Sequence, residues 1–88
     1  MYPNYPNPFN PQTTITFDLM QSGLVQLKIY NIIGEEVKTL INNSMLPGNH
    51  QISWDGTDNV NKKVASGIYI YTLKMDNAIE SHKMILLK

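Results

Sequence analysis

Polar and apolar residues alternate along most of this chain. From Thr13 to Met20, Ile15, Phe17 and Leu19 fall on one face and Thr14, Thr16 and Asp18 on the other. That period of two marks a half-buried strand. Gln21-Ser22-Gly23 turns the chain, and Leu24–Ile32 repeats the pattern with Val25, Leu27 and Ile29 inward. Gly34 breaks it, and Glu35–Ile41 predicts a third strand through Val37 and Thr39, joined to the second as a hairpin. Paired asparagines and Pro47-Gly48 mark Asn42–Gly48 as loop. Asn49–Asp55 alternates again, with His50, Ile52 and Trp54 together. Gly67–Met75 carries Tyr69, Tyr71, Leu73 and Met75 on one side and Ile68 and Ile70 on the other, which predicts a central strand. Asp76-Asn77 turns the chain into Ile79–Leu87, expected to lie antiparallel beside it.

No window has a convincing 3.6-residue period. About seven strands, counting a brief pairing of Lys62–Ala65, with turn signals every roughly 8–12 residues, predict an all-β, immunoglobulin-like antiparallel β-sandwich. In such sandwiches a tyrosine near the start of a late strand folds its hydroxyl back onto nearby backbone, and Tyr69 is placed for that role.

The segment Tyr2–Gln12 departs from the alternation. Pro3, Pro6, Pro8 and Pro11 lack backbone donors and push their predecessors to extended geometry, so it is neither helix nor central strand. Residues 1–12 therefore read as a polyproline-like linker and domain entry, and 13–88 as the sandwich. Phe9 is expected to pack on the domain. Met1 directly before this segment gives the expectation of a module cut from a longer protein.

Length and charge narrow the function. With 88 residues there is room for one modest core. Seven basic side chains balance seven acidic ones, so nothing points to nucleic acid or an anionic membrane. Cysteine is absent, which removes disulfides, thiolate nucleophiles and thiolate metal sites. No apolar run approaches the ~18 residues of a transmembrane segment, and no basic-then-apolar leader is visible.

Convergent chemistry is scarce. His50 shares a face with Ile52 and Trp54, so it reads as a packed, hydrogen-bonded residue; His82, between Ser81 and Lys83, reads as solvent-exposed. No G-x-S-x-G elbow, H-E-x-x-H pair or phosphate loop occurs, and Ser66 has no base partner, so no catalytic residue is assigned. Asp55, Thr57, Asn59 and Asn61 alternate, with Asp58 between, as oxygens in a calcium loop do. The closing bidentate Glu is missing and Lys62-Lys63 adds positive charge, so turn chemistry is the better reading, with no metal and no cofactor. Trp54, Asp55, Gly56, Gly67 and Tyr69 then form a structural corner, Asp55 capping the turn and Gly56 and Asn61 at positive φ. Tyr2, Tyr5 and Phe9 offer a sugar-stacking platform as an alternative. Met84-Ile85-Leu86-Leu87 cannot all face one core: either both faces are covered or one is an interaction surface.

Several blocks resemble one family. Tyr5-Pro6-Asn7-Pro8-Phe9-Asn10-Pro11 with Thr13-Thr14-Ile15 resembles the opening of the type A C-terminal sorting domains of the type IX (Por) secretion system. The likeness continues through Ile29–Val37, Trp54-Asp55-Gly56, Val64–Tyr69 and Lys83–Lys88. Asn61 departs from it, standing where that family often has glycine. The related Ig-like domain of flagellar hook-capping proteins shares the middle blocks. The resemblance implies a non-catalytic signal domain fused to an N-terminal cargo domain, passing through the periplasm to the outer membrane and cell surface. Its implied partners are the outer-membrane translocon and a sortase. Carried over, Lys83, Met84, Ile85, Leu86, Leu87 and Lys88 would be recognised, and Tyr5, Pro6, Asn7, Pro8, Phe9, Asn10 and Pro11 would mark the domain entry. A hook-cap-type structural or assembly domain, or a carbohydrate-binding module, is the alternative.

Overall fold

Six strands account for the alternating segments in a computed structural model that describes residues 1–88. They are β1 (Thr13–Leu19), β2 (Gly23–Asn31), β3 (Glu36–Met45), β4 (Gly48–Trp54), β5 (Gly67–Met75) and β6 (Ala78–Leu86). β1 and β4 form one antiparallel sheet, with Thr13 opposite Trp54 and Leu19 opposite Gly48. The other four lie antiparallel in the order β3-β2-β5-β6. Each strand sends alternate side chains inward, and the two inner faces share one core. Ile15 and Phe17 meet Val25, Leu27, Ile29, Tyr71, Met84 and Leu86 there, with Trp54 at one end. The result is an immunoglobulin-like β-sandwich.

β5 is central, as its two apolar faces predict, and β6 is its antiparallel neighbour. The strand count is six rather than seven. Lys62–Ala65 contributes only an isolated bridge, Thr57 to Lys63. β3 also differs from expectation, because Asn42–Met45 is strand rather than loop. Pairing with β2 overrides the turn preference of the asparagines, and Gln26 Nε2 donates to Asn42 Oδ1 at 3.3 Å. A register shift between Leu27 and Lys28 sets Ile41 opposite Leu27 and Thr39 opposite Lys28. Ile41 is therefore the core residue. Thr39 turns to the outer face, where its hydroxyl donates to Glu36 Oε2 at 3.0 Å.

The proline-rich segment packs along the sandwich rather than trailing from it. Tyr2 and Tyr5 donate backbone N–H groups to Thr16 and Thr14 along the outer edge of β1. The chain then crosses to the other sheet, where Phe9 bridges in parallel to Leu86. Asn4, 4% exposed, donates its N–H to Tyr71 Oη at 2.9 Å and its Nδ2 to Thr13 Oγ1 at 3.0 Å. One short segment thus closes the seam between the sheets and covers part of two strand edges.

Candidate functional site

The tail splits by face. Met84 and Leu86 are fully buried, while Ile85 is half-buried and Leu87 is 53% exposed. Lys83 and Lys88 flank them at the surface, and Lys88 N–H donates to Ser66 Oγ at 3.0 Å.

The structure brings this tail and the entry motif together. Phe9 N–H donates to the Ile85 carbonyl at 3.0 Å, and Leu87 N–H donates to the Phe9 carbonyl at 2.9 Å. Asn7 Oδ1 accepts the Ile85 N–H at 3.0 Å. Pro6, Pro8 and Pro11 have no N–H, so the Asn7 side chain and the Phe9 backbone do the pairing. The Phe9 ring is 1% exposed and lies 5.6 Å from Trp54. The outer backbone edge at Ile85–Leu87 is therefore occupied, and what stays open there is side chain. Burial of Phe9 and the bond from Tyr2 Oη to Asp18 also separate the rings of the sugar-platform alternative.

The corner borders the same place. Trp54 is buried, donates Nε1–H to the Thr57 carbonyl at 2.8 Å, and meets Tyr69 edge-on at 5.3 Å. Tyr69 Oη donates to the Ala65 carbonyl at 2.6 Å, the fold-back its position predicts, and burial raises its pKa. Asp55 Oδ1 accepts from Thr57 Oγ1 at 2.5 Å and Thr57 N–H at 3.2 Å, which holds the carboxyl below its ordinary range. Gly56 has φ +77°, and a Cβ there would meet the Pro11 carbonyl at 3.3 Å and Leu86 Cδ2 at 3.6 Å. Only glycine combines that conformation with that approach. Gly67, also at positive φ, opens β5 beside Leu86. Corner, entry motif and tail thus enclose a cleft of ≈ 280 Å³ lined by Asn10, Pro11, Asp55, Gly56, Lys63, Leu86 and Lys88.

The oxygen-rich loop holds an internal cation that the sequence reading missed. Lys38 Nζ donates to the Asp58 carbonyl at 2.9 Å and to Thr57 Oγ1 and Asn61 Oδ1 at 3.2 Å each. Simple alternation sends Lys38 outward; the irregular register of β3 instead sets it opposite the inward Ile29. Asn61 takes positive φ, as expected. Asn59 covers the β3 edge, donating its N–H to the Val37 carbonyl at 3.0 Å and accepting the Thr39 N–H at 2.9 Å. The loop is a structural corner latched by a lysine.

The histidines stand apart from this cleft. His50 stacks on Phe17 at 5.5 Å and bonds the Leu46 carbonyl through Nε2. His82 is half-buried rather than solvent-exposed, because it stacks on Tyr71 at 5.5 Å and bonds Glu80 at 2.8 Å. At the opposite end of the sandwich, a groove of ≈ 730 Å³ opens between the end of β1 and the β5–β6 turn.

The sandwich and its corner agree with a known family: the model of the FlgD Ig-like domain matches residues 7–79. The chain belongs to that family. The match begins inside the entry motif and ends before Lys83–Lys88. FlgD of Xanthomonas campestris, described for hook capping in flagellar assembly, is similar at 25% identity and a TM-score of 0.66. That likeness covers 90% of this chain and 58% of the FlgD chain. PorZ of Porphyromonas gingivalis, described as a bacterial surface component of the type IX secretion system, shares the fold at 19% identity and a TM-score of 0.67. There the chain is covered over 97% of its length, and spans 11% of PorZ. No curated protein matches.

Proposed function

We propose that this FlgD-type Ig-like domain is a non-catalytic C-terminal sorting signal, directing an attached cargo across the outer membrane through the type IX secretion system. Its partners on this reading are the translocon, the sortase and the cargo itself, and its destination is the cell surface. One observation carries it. The stretch that the family resemblance gives as recognised, Lys83–Lys88, is hydrogen-bonded to the stretch it gives as the domain entry, Tyr5–Pro11, and the two border one cleft. A receptor would then read a folded junction rather than a loose tail.

The test removes exposed tail residues and spares the core. A reporter fused ahead of the domain, with Leu87 and Lys88 deleted, should stay in the periplasm of a host that has this system. Met84 and Leu86 remain to fill the core, and a thermal melt of the purified domain checks that they do. Normal surface delivery of the folded, truncated fusion overturns the reading.

A second reading is an assembly domain of the hook-cap kind, favoured by the family match that ends before the tail. It predicts that grafting the domain onto a reporter moves nothing across the outer membrane.

A further inference from the structure

The outer face of the four-stranded sheet carries an apolar cluster that the core does not use. Register places Tyr30 opposite Ile70, and Ile68 opposite Ile85, with Ile68 and Ile70 adjacent on one face of β5. Tyr30, Ile70 and Ile85 are half-buried, and Ile68 is 41% exposed. The same face is basic. Lys28, Lys74 and Lys83 occupy outward positions, and the one outward carboxylate, Glu36, is spent on Lys28 at 3.1 Å. The other sandwich face differs: Thr14, Thr16, Asp18, Asn49, Gln51 and Ser53 give it no apolar cluster and no cation.

We infer that this face docks a protein surface that is apolar at its centre and acidic at its rim. The inference rests on the proposed recognition of the last strand, whose Lys83 and Ile85 lie in the face, and adds the chemistry of what recognises it. Charge complementarity selects the occupant. A second copy docking through the same face would set lysines against lysines. A lipid surface is the competing occupant, since Ile79 opposite Lys74 is 64% exposed on the same face, and anionic vesicles therefore form a separate arm of the test. An acidic partner pairs with Lys74 and Lys83 while its apolar residues cover Ile68, Ile70 and Ile85. The backbone edge of β6 at Ile85–Leu87 is already held by Asn7 and Phe9, so side chains carry the recognition.

The test titrates the ¹⁵N-labelled 88-residue domain with a blocked peptide alternating Glu and Val, and with its Lys–Val counterpart. The acidic peptide should shift the amides of Tyr30, Ile68, Ile70, Lys83 and Ile85 and bind more weakly as salt rises. The double substitution K74E/K83E should weaken it roughly tenfold, with an unchanged melting temperature. Equal binding of both peptides, no binding, or shifts confined to the Asp18–Glu80 groove overturns the inference. So does stronger binding to vesicles containing anionic lipid than to the acidic peptide. This measurement needs no transport. Delivery of the tail-truncated fusion defeats the sorting reading whatever the titration gives, and a failed titration defeats the docking face whatever the truncation gives.

Discussion

Phe9 and Leu87 are joined backbone to backbone, the Leu87 N–H donating to the Phe9 carbonyl at 2.9 Å. The entry and the exit of the domain are therefore one structural unit, sealed inside by the Phe9 ring against Trp54.

Phe9→Ala should destabilise the domain by about 3–5 kcal/mol, the cost of emptying a fully buried aromatic site. Tyr5→Ala, at a side chain 81% exposed, should stay within about 0.5 kcal/mol. Urea unfolding of both variants measures the contrast. Equal and negligible effects would mean that the proline-rich segment is only a tether.

The two strand-β5 tyrosines should differ in worth. Tyr69→Phe removes a bond to the carbonyl of Ala65, an exposed residue whose oxygen can turn to water, and should cost about 1 kcal/mol. Tyr71→Phe strands the buried N–H of Asn4 and should cost more, about 1–3 kcal/mol. Chemical denaturation gives the order, and the reverse order would show that the Asn4 contact is dispensable.

Lys38→Met removes the ammonium on which three loop oxygens converge and should cost about 1–3 kcal/mol. Hydrogen exchange at the Thr39 and Asn59 amides should quicken as the loop leaves the β3 edge. In the unmodified domain, calcium or a chelator should leave the melting temperature unmoved, since the oxygens already hold a cation. A calcium-dependent rise would contradict the latch.

Acid should weaken the domain through four surface carboxyls. The Thr57 hydroxyl lowers the pKa of Asp55, Tyr2 that of Asp18, Lys28 that of Glu36 and His82 that of Glu80. Each carboxyl binds its proton less readily folded than unfolded, so its contribution is complete above the ordinary values, 3.8 for Asp and 4.5 for Glu. It is lost as pH falls below them. Melting temperature should hold from neutrality to about pH 5 and fall modestly toward about pH 3, since all four carboxyls lie at the surface, where solvent screens their interactions. Asp55→Asn should flatten part of that slope. Tyr69 and Tyr71, whose pKa values burial raises, should oppose unfolding less as pH climbs past 10.0.

Alternation alone was enough to place the inward faces of β1 and β2 and to mark β5 as central, because a period of two is a local property of extended chain. The fold-back of Tyr69 onto Ala65 was legible for the same reason, with its partner only four residues away. So were the capping of Thr57 by Asp55 and the positive φ of Gly56 and Asn61. Lys38 was not legible. A bulge in β3 is set by pairing with β2, and it reverses which side chains face in.

The sequence by itself therefore determined a six- or seven-strand sandwich with a Trp54–Tyr69 centre, since burial and turn chemistry are written residue by residue. Only the tertiary structure decided that the ends meet. The bonds of Phe9 to Ile85 and Leu87 span almost the whole chain, and no local pattern encodes a partner at that separation. The same long-range closure set Gly56 against Pro11 and Leu86, so that corner, entry and tail border one cleft.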